Sequence, residues 1–300
     1  MADAGLDLHE GVLGGGGRRQ LSDFPGYTTL RRFARNPPAV MGAVVLVLLI
    51  SAGAMAPLIA PYDPIETDTA ASLKGPSGDH LLGADLLGRD TLSRLIFGAR
   101  VSLQVGLITM GIASLIGIPL GLVSGYFGGW VDSICGRLID AIMAFPGLVL
   151  ALALVSALGS STRNVMIAIG IVATPAFARL VRGQTLALRE LEYVAAARCV
   201  GASHQRTIFR HILPNVMAPI IVQVSLGAAG AILAEAGLSF LGLGVQPPTP
   251  TWGSMLSIGF QYINLSNWLV FFPGMAIFIT VLALNFVGDG LRDALDPRLK

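Results

Sequence analysis

A chain of 300 residues with 53% apolar and only 13% charged side chains is not an ordinary soluble domain. Its net charge of +2 is too close to neutral for a nucleic-acid partner, and no basic stripe with interleaved aromatics is present. The two cysteines, Cys135 and Cys199, lack metal-ligand spacing and require no disulfide framework, so both read as small apolar residues.

The apolar residues fall in blocks of about 20, the length a helix needs to cross a hydrocarbon core of roughly 30 Å. Residues 1–36 are polar and glycine-rich and hold no early apolar segment of the kind a cleavable signal needs. Gly14–Gly17 reads as a flexible tail. It is not a phosphate loop, because no Gly-Lys-Ser/Thr follows it. A first span is expected over Ala39–Ala60, ended by Pro61. The polar stretch Tyr62–Arg100 follows. There Asp90 is placed to cap a short helix whose Leu92, Leu95, Ile96 and Ala99 share a face, expected to lie along the membrane surface. The charged residues of this stretch read as a folded loop without chemistry.

The second span is expected over Val101–Tyr126. Gly117, Gly121, Gly125 and Gly129 recur every fourth residue, a face that lets a neighbouring backbone come close. The third span covers Ile139–Leu158, with Pro146 available to bend it, and the fourth Val165–Leu180, containing Pro175.

Glu190–Asn215 is the longest charged, non-spanning run in the second half. Glu190 and Glu192 favour the positive N-terminal end of a short helix, Ala195–Ala197 are strong helix formers with little bulk, and Gly201 supplies a left-handed stop. A second basic helix is expected over Ser203–Ile212, with Pro214 at the start of the next span. That fifth span, Val216–Leu243, holds the acid Glu235, whose burial costs about 2.5–3.5 kcal/mol on insertion scales. Two readings stay open: Glu235 faces a wet path, or it pairs or protonates inside the bundle. Gly244–Asn267 carries no charge, and Pro247, Pro248 and Pro250 forbid a regular helix at its start. Trp252, Tyr262 and Trp268 are residue types found at membrane interfaces. The sixth span is expected over Leu269–Val287. Six spans put both tails and the 190–215 loop on one side, with fifteen Arg and Lys residues there against five opposite, which makes that side cytoplasmic. The second span taken alone prefers the reverse, since Arg89, Arg94 and Arg100 precede it and only Arg137 follows.

The 190–215 loop resembles the EAA loop of ATP-binding-cassette importer permeases: Ala195-Ala196-Ala197, Gly201 and Ile212-Leu213-Pro214 fall on its pattern. Ala195 stands where that family has glutamate, and His211 where it has isoleucine. The run from His80 to Arg94, the run from Ser239 to Gly253 and the ending Gly288–Arg298 are similar to the "C"-type permeases of the dipeptide, oligopeptide and nickel family, so the likeness spans residues 37–300. The resemblance implies an all-α polytopic protein with six transmembrane helices, the type I importer permease fold and both termini cytoplasmic. Its parts would be a flexible cytoplasmic tail (1–36), an N-terminal segment with the first helix and outer loop (37–100), a permease core (101–290) and a cytoplasmic tail (291–300). It implies that Glu192, Ala195, Ala196, Ala197, Gly201, Ile212, Leu213 and Pro214 form the surface that docks an ATPase. The partners it implies are a second homologous permease forming a heterodimer, two cytoplasmic ATPase subunits, an extracytoplasmic binding protein and the lipid bilayer of a bacterial inner membrane. The cargo it implies is a dipeptide or oligopeptide, with glutathione or a nickel chelate as alternatives.

The residues agree with a gate worked by another chain. The only lysines, Lys74 and Lys300, fit no Walker loop, so no cofactor is expected here and Mg-ATP belongs to partner subunits. Neither a catalytic residue nor a metal site is expected, because His9, His80, His204 and His211 all lie outside the spans. Glu235 and Gln223, with Gln104 and Asn164, are candidates to line a pathway. The rival from another class is an ion-coupled carrier using Glu235, against which no inverted repeat is visible.

Overall fold

The computed structural model describes residues 25–296. Among these the regular structure is helical, long loops run over 60–90 and 241–251, and the one β-type feature is an isolated bridge between Ala84 and Asp90. The glycine run, Arg298 and Lys300 lie outside the described residues. The helices are α1 (Pro25–Ala34), α2 (Pro37–Ala54), α3 (Ala56–Ile59), α4 (Thr91–Phe127), α5 (Gly129–Met143), α6 (Gly147–Leu158), α7 (Thr162–Arg189), α8 (Glu192–Cys199), α9 (His204–Arg206), α10 (Leu213–Phe240), α11 (Trp252–Gln261) and α12 (Trp268–Leu295). A π-helical stretch, Thr207–Ile212, joins α9 to α10, so 204–240 runs as one helix of 37 residues.

Among the described residues five helices are long and apolar enough to cross a membrane: α2, α4, α7, the α9–α10 helix and α12. The expected third span is not a straight crossing. It divides into α5 and α6, bent by 87° where Pro146 cannot continue the first helix, and counts as a sixth span only if the bent pair is taken as one.

Several boundaries differ from expectation. Asp90 does cap a helix, accepting from the Ser93 N–H, but that helix is α4 itself. The apolar face of Leu92–Ala99 continues without a break into the span, so no separate surface helix exists. The N-terminal tail is helical over Pro25–Ala34, and the C-terminal tail to Leu295 is the end of α12. Pro175 sits inside α7, which continues through it to Arg189.

The close pairing of α4 with α7 explains the glycine stripe. A Cβ on Gly117 would lie 2.6 Å from the Phe177 Cβ, one on Gly121 2.6 Å from the Ala178 carbonyl, and one on Gly125 2.8 Å from the Arg182 carbonyl. Small residues there let two backbones touch where water supplies no hydrophobic drive. Gly129 is not part of the stripe. It opens α5 at φ +54° with nothing near its Cβ position. Val105, Met110, Phe177, Val181, Ile212 and Val216 fill the adjoining core.

Candidate functional site: the α7–α10 loop and its anchors

The loop forms where two helix ends are well capped. The α8 helix ends in a Schellman pattern, with the Ala202 N–H donating to Ala197 O and the Gly201 N–H to Arg198 O. Gly201 takes φ +84°, the left-handed conformation expected of it. Ser203 then caps α9, accepting from the Arg206 N–H. Glu190 is not in α8: it ends α7 and pairs with Arg189 at 2.8 Å. Glu192 alone supplies the acid of the first turn.

Val194 is the one buried residue of α8. Glu192, Ala195, Ala196, Gly201 and Pro214 are exposed, and Ala197 is half-buried. Val200 is 85% exposed, beside Leu191 and Tyr193, which are also open. This is an apolar, nearly featureless tip that the chain itself leaves uncovered. Ile212 and Leu213 do not belong to it: Ile212 is fully buried and Leu213 half-buried against the same core. They anchor the loop. Pro214 lacks an N–H, and directly before it the ladder slips by one residue, with the Leu213 N–H reaching back to Ile208 O. The His211 carbonyl there accepts from Asn215 Nδ2 at 2.7 Å and from the Tyr193 hydroxyl at 3.3 Å.

Sequence spacing did not disclose what holds this loop to α4. The Tyr126 hydroxyl is 2.9 Å from His204 Nδ1, and the Arg198 guanidinium lies 5.3 Å above the Tyr126 ring. Arg189 Nη1 donates to Gly125 O at 3.0 Å, and Arg198 Nη2 reaches Arg189 O. About two turns earlier on α7, Arg182 grips Asp132 with two hydrogen bonds of 2.6 Å, and the Ser124 hydroxyl also donates to that carboxylate. These contacts tie α8 and the end of α7 to the C-terminal end of α4.

The candidate pathway residues are not gathered in one place. Glu235 is 1% exposed and accepts from Ser239 Oγ (2.7 Å) and Thr251 Oγ1 (3.0 Å). Within this chain its carboxylate is enclosed between α10 and the start of α11. Thr251 also accepts from the Ser254 N–H in a capping box, so Glu235 braces the start of α11 against α10. A Cβ on Gly253 would lie 2.6 Å from the Ala236 Cα, so glycine is what permits that approach. Gln223 is half-buried, Gln104 lines a groove beside α2, and Asn164 caps the end of α6 through its side-chain amide. Trp252 is no interface anchor. It is 1% exposed, and its Nε1 donates to Leu95 O at 3.0 Å.

The α3–α4 loop is folded on its own charges. Asp85 Oδ2 accepts from Arg89 Nε at 2.7 Å and lies 3.6 Å from Arg94, whose Nη1 donates to Pro64 O; His80 Nδ1 is 3.0 Å from Asp90. All of these except His80 are buried.

Comparison with known proteins places this architecture. Residues 117–300 match the family described as binding-protein-dependent transport system inner membrane component. Residues 25–76 match the N-terminal transmembrane domain of oligopeptide transport permease C. The chain is 46% identical to a dipeptide transport system permease protein of Alkalihalophilus pseudofirmus, covering 92% of this chain and 91% of the relative. It is also 46% identical to a glutathione transport system permease protein of Pectobacterium atrosepticum (90% of each) and to a di/tripeptide transport system permease protein of Pseudomonas aeruginosa (89% and 90%). Among solved structures it is similar in fold to a chain of the inward-facing MetNI methionine transporter, with a TM-score of 0.55 and 18% identity over 68% of this chain and 97% of that one.

Proposed function

The chain belongs to the family of binding-protein-dependent transport system inner membrane components, and from that premise we propose that it forms half of the translocation pathway of an ATP-driven importer of short peptides. The relatives' names supply the cargo class: dipeptide, di/tripeptide, and glutathione, itself a γ-linked tripeptide. Glutathione stands as the specific alternative, because the relative bearing that name is as similar as the others. The second half of the path comes from a homologous permease, and an extracytoplasmic binding protein delivers the peptide. Two ATPase subunits holding Mg-ATP sit under α8 in the cytoplasm of a bacterial cell whose inner membrane holds the complex.

The observation that carries this reading is the uncovered tip of α8, tied through Tyr126 and Gly125 to the end of α4. An apolar tip on rigid supports is what a separate motor can grip; closure of the two ATPases would push it and rock the spans between two openings. Glu235, held by two hydroxyls inside the chain, braces a helix rather than carrying an ion.

The test is reconstitution with the partner chains in liposomes. Peptide-loaded binding protein is expected to stimulate ATP hydrolysis and labelled peptide to accumulate only with nucleotide. Gly201→Val, which forces a branched side chain into a left-handed residue, is expected to release the ATPase subunits on purification. Ion-gradient-driven uptake by this chain alone would overturn the reading.

A further inference from the structure

The α2 helix meets the rest of the chain at two levels. Near its C-terminal end Gly53 lies against the Arg100 backbone, where a Cβ would come 3.0 Å from the Arg100 nitrogen. Near its N-terminal end Gly42 lies against α12, where a Cβ would come 2.6 Å from the Ala283 carbonyl. Between these crossings the helices part and leave a slot of about 590 Å³ walled by α2, α4, α10 and α12. Its walls are apolar, with Leu46, Ile50, Leu107, Val224, Ile232 and Leu284 among them. Ser225 also lines it, but its hydroxyl is spent on Ile221 O.

The remaining polar side chains, Arg100 and Gln104, occupy the end nearest the α3–α4 loop, and both are exposed. Among the described residues no carboxylate pairs with the Arg100 guanidinium. Arg100 directly precedes the apolar run of α4. Leu107, seven residues on, lies about 10 Å deeper at the helical rise. The slot thus has a free cation at the bilayer boundary and hydrocarbon walls running inward from it.

That is the complement of a phospholipid, with its phosphate at the boundary and its chains below. A free phosphate would gain nothing from the walls. A partner helix would gain from the walls but would have to bring its own carboxylate into the slot to avoid burying the guanidinium unpaired, which is costly; a phospholipid carries the counter-charge at the matching depth. We propose that this slot binds one phospholipid, its phosphate held by Arg100 and Gln104 and one acyl chain laid between α2 and α10. The inference needs the chain's membrane setting, not the identity of its cargo.

The test uses the complete transporter, purified in mild detergent and taken through delipidating washes, with retained phospholipid counted by extraction and mass spectrometry. Wild type is expected to keep one phospholipid through washes that strip the rest. Arg100→Gln is expected to weaken that retention about tenfold, the loss of one charge-assisted contact. Ala228→Trp, which fills the slot and leaves Arg100 in place, is expected to release the same lipid; if it fails to co-purify with its partner chains, Ala228→Leu replaces it. Equal retention in wild type and both variants overturns the proposal. So does loss in Arg100→Gln alone, which would place the lipid outside the slot. Complete disulfide cross-linking of Leu107→Cys to a cysteine of the partner permease also overturns it, since a protein helix would then fill the space.

Discussion

The two ends of α4 are built on opposite principles. At its N-terminal end the α3–α4 loop keeps a charged group inside while Asp63, Glu66, Asp68, Lys74 and Asp79 stay exposed: Asp85, Arg89, Asp90 and Arg94 are all buried, Asp85 holding Arg89, Arg94 donating to Pro64 O, and Asp90 accepting from the Ser93 N–H and hydroxyl. At its C-terminal end the α7–α10 loop turns its charges outward and leaves apolar Val200 and Leu191 open, with only Val194 of α8 buried. One end is complete within the chain. The other is packed on its inner side alone, and its outer side is open; the proposed function puts the ATPase there. A charged group can be self-contained while a nearly neutral helix stays open on one side, so charge density by itself does not locate the uncovered surface.

That contrast can be broken from either end. The largest stability effect is expected for Asp85→Ala, which strands two buried guanidiniums. Removing one partner of such a pair costs about 3–5 kcal/mol, so the complex should lose thermal stability sharply while any that survives still binds its ATPase subunits. Val200→Asp should do the reverse. Val200 is 85% exposed, so the folding stability should stay within about 0.5 kcal/mol of wild type. Co-purification of the ATPase subunits and transport should fall about tenfold or more, because a desolvated charge would face the partner. If Val200→Asp lowers stability instead, α8 is a structural element and the contrast fails. The smallest effect is expected for Tyr126→Phe, which keeps the ring under Arg198 and removes the hydroxyl that meets His204. The loss is about 1 kcal/mol, read as ATP hydrolysis that continues with transport reduced several-fold.

Much of this molecule is legible in its sequence where a single residue type dictates a backbone state. Gly201 and the α8 stop, Asp90 and the α4 start, and Pro146 and the α5–α6 bend are all of that kind. Regular spacing worked equally well for Gly117, Gly121 and Gly125, and failed at Gly129, where the period continued by chance into a turn. The misreadings have physical causes too. The Leu92–Ala99 face suggested a surface helix because an amphipathic turn reads alike whether it stops or runs on into a span. Trp252 has the residue type of a membrane interface, but its indole N–H has a carbonyl to bind inside the protein. Nothing in the sequence could have paired Tyr126 with His204, 78 positions apart, or Asp132 with Arg182, 50 apart. Those contacts exist only because the glycine stripe brings α4 and α7 together.

The unbroken 204–240 helix has a mechanical consequence. At the helical rise its 37 residues extend about 55 Å, so each degree of tilt at the α8 end sweeps the far end sideways by about 1 Å. Near that far end Glu235 and the Gly253 contact fasten α11. A rotation of a few degrees is thus enough to carry α11 by the width of a side chain, and the buried cluster of Ala99, Ile232, Ala236 and Trp252 has to repack or move with it.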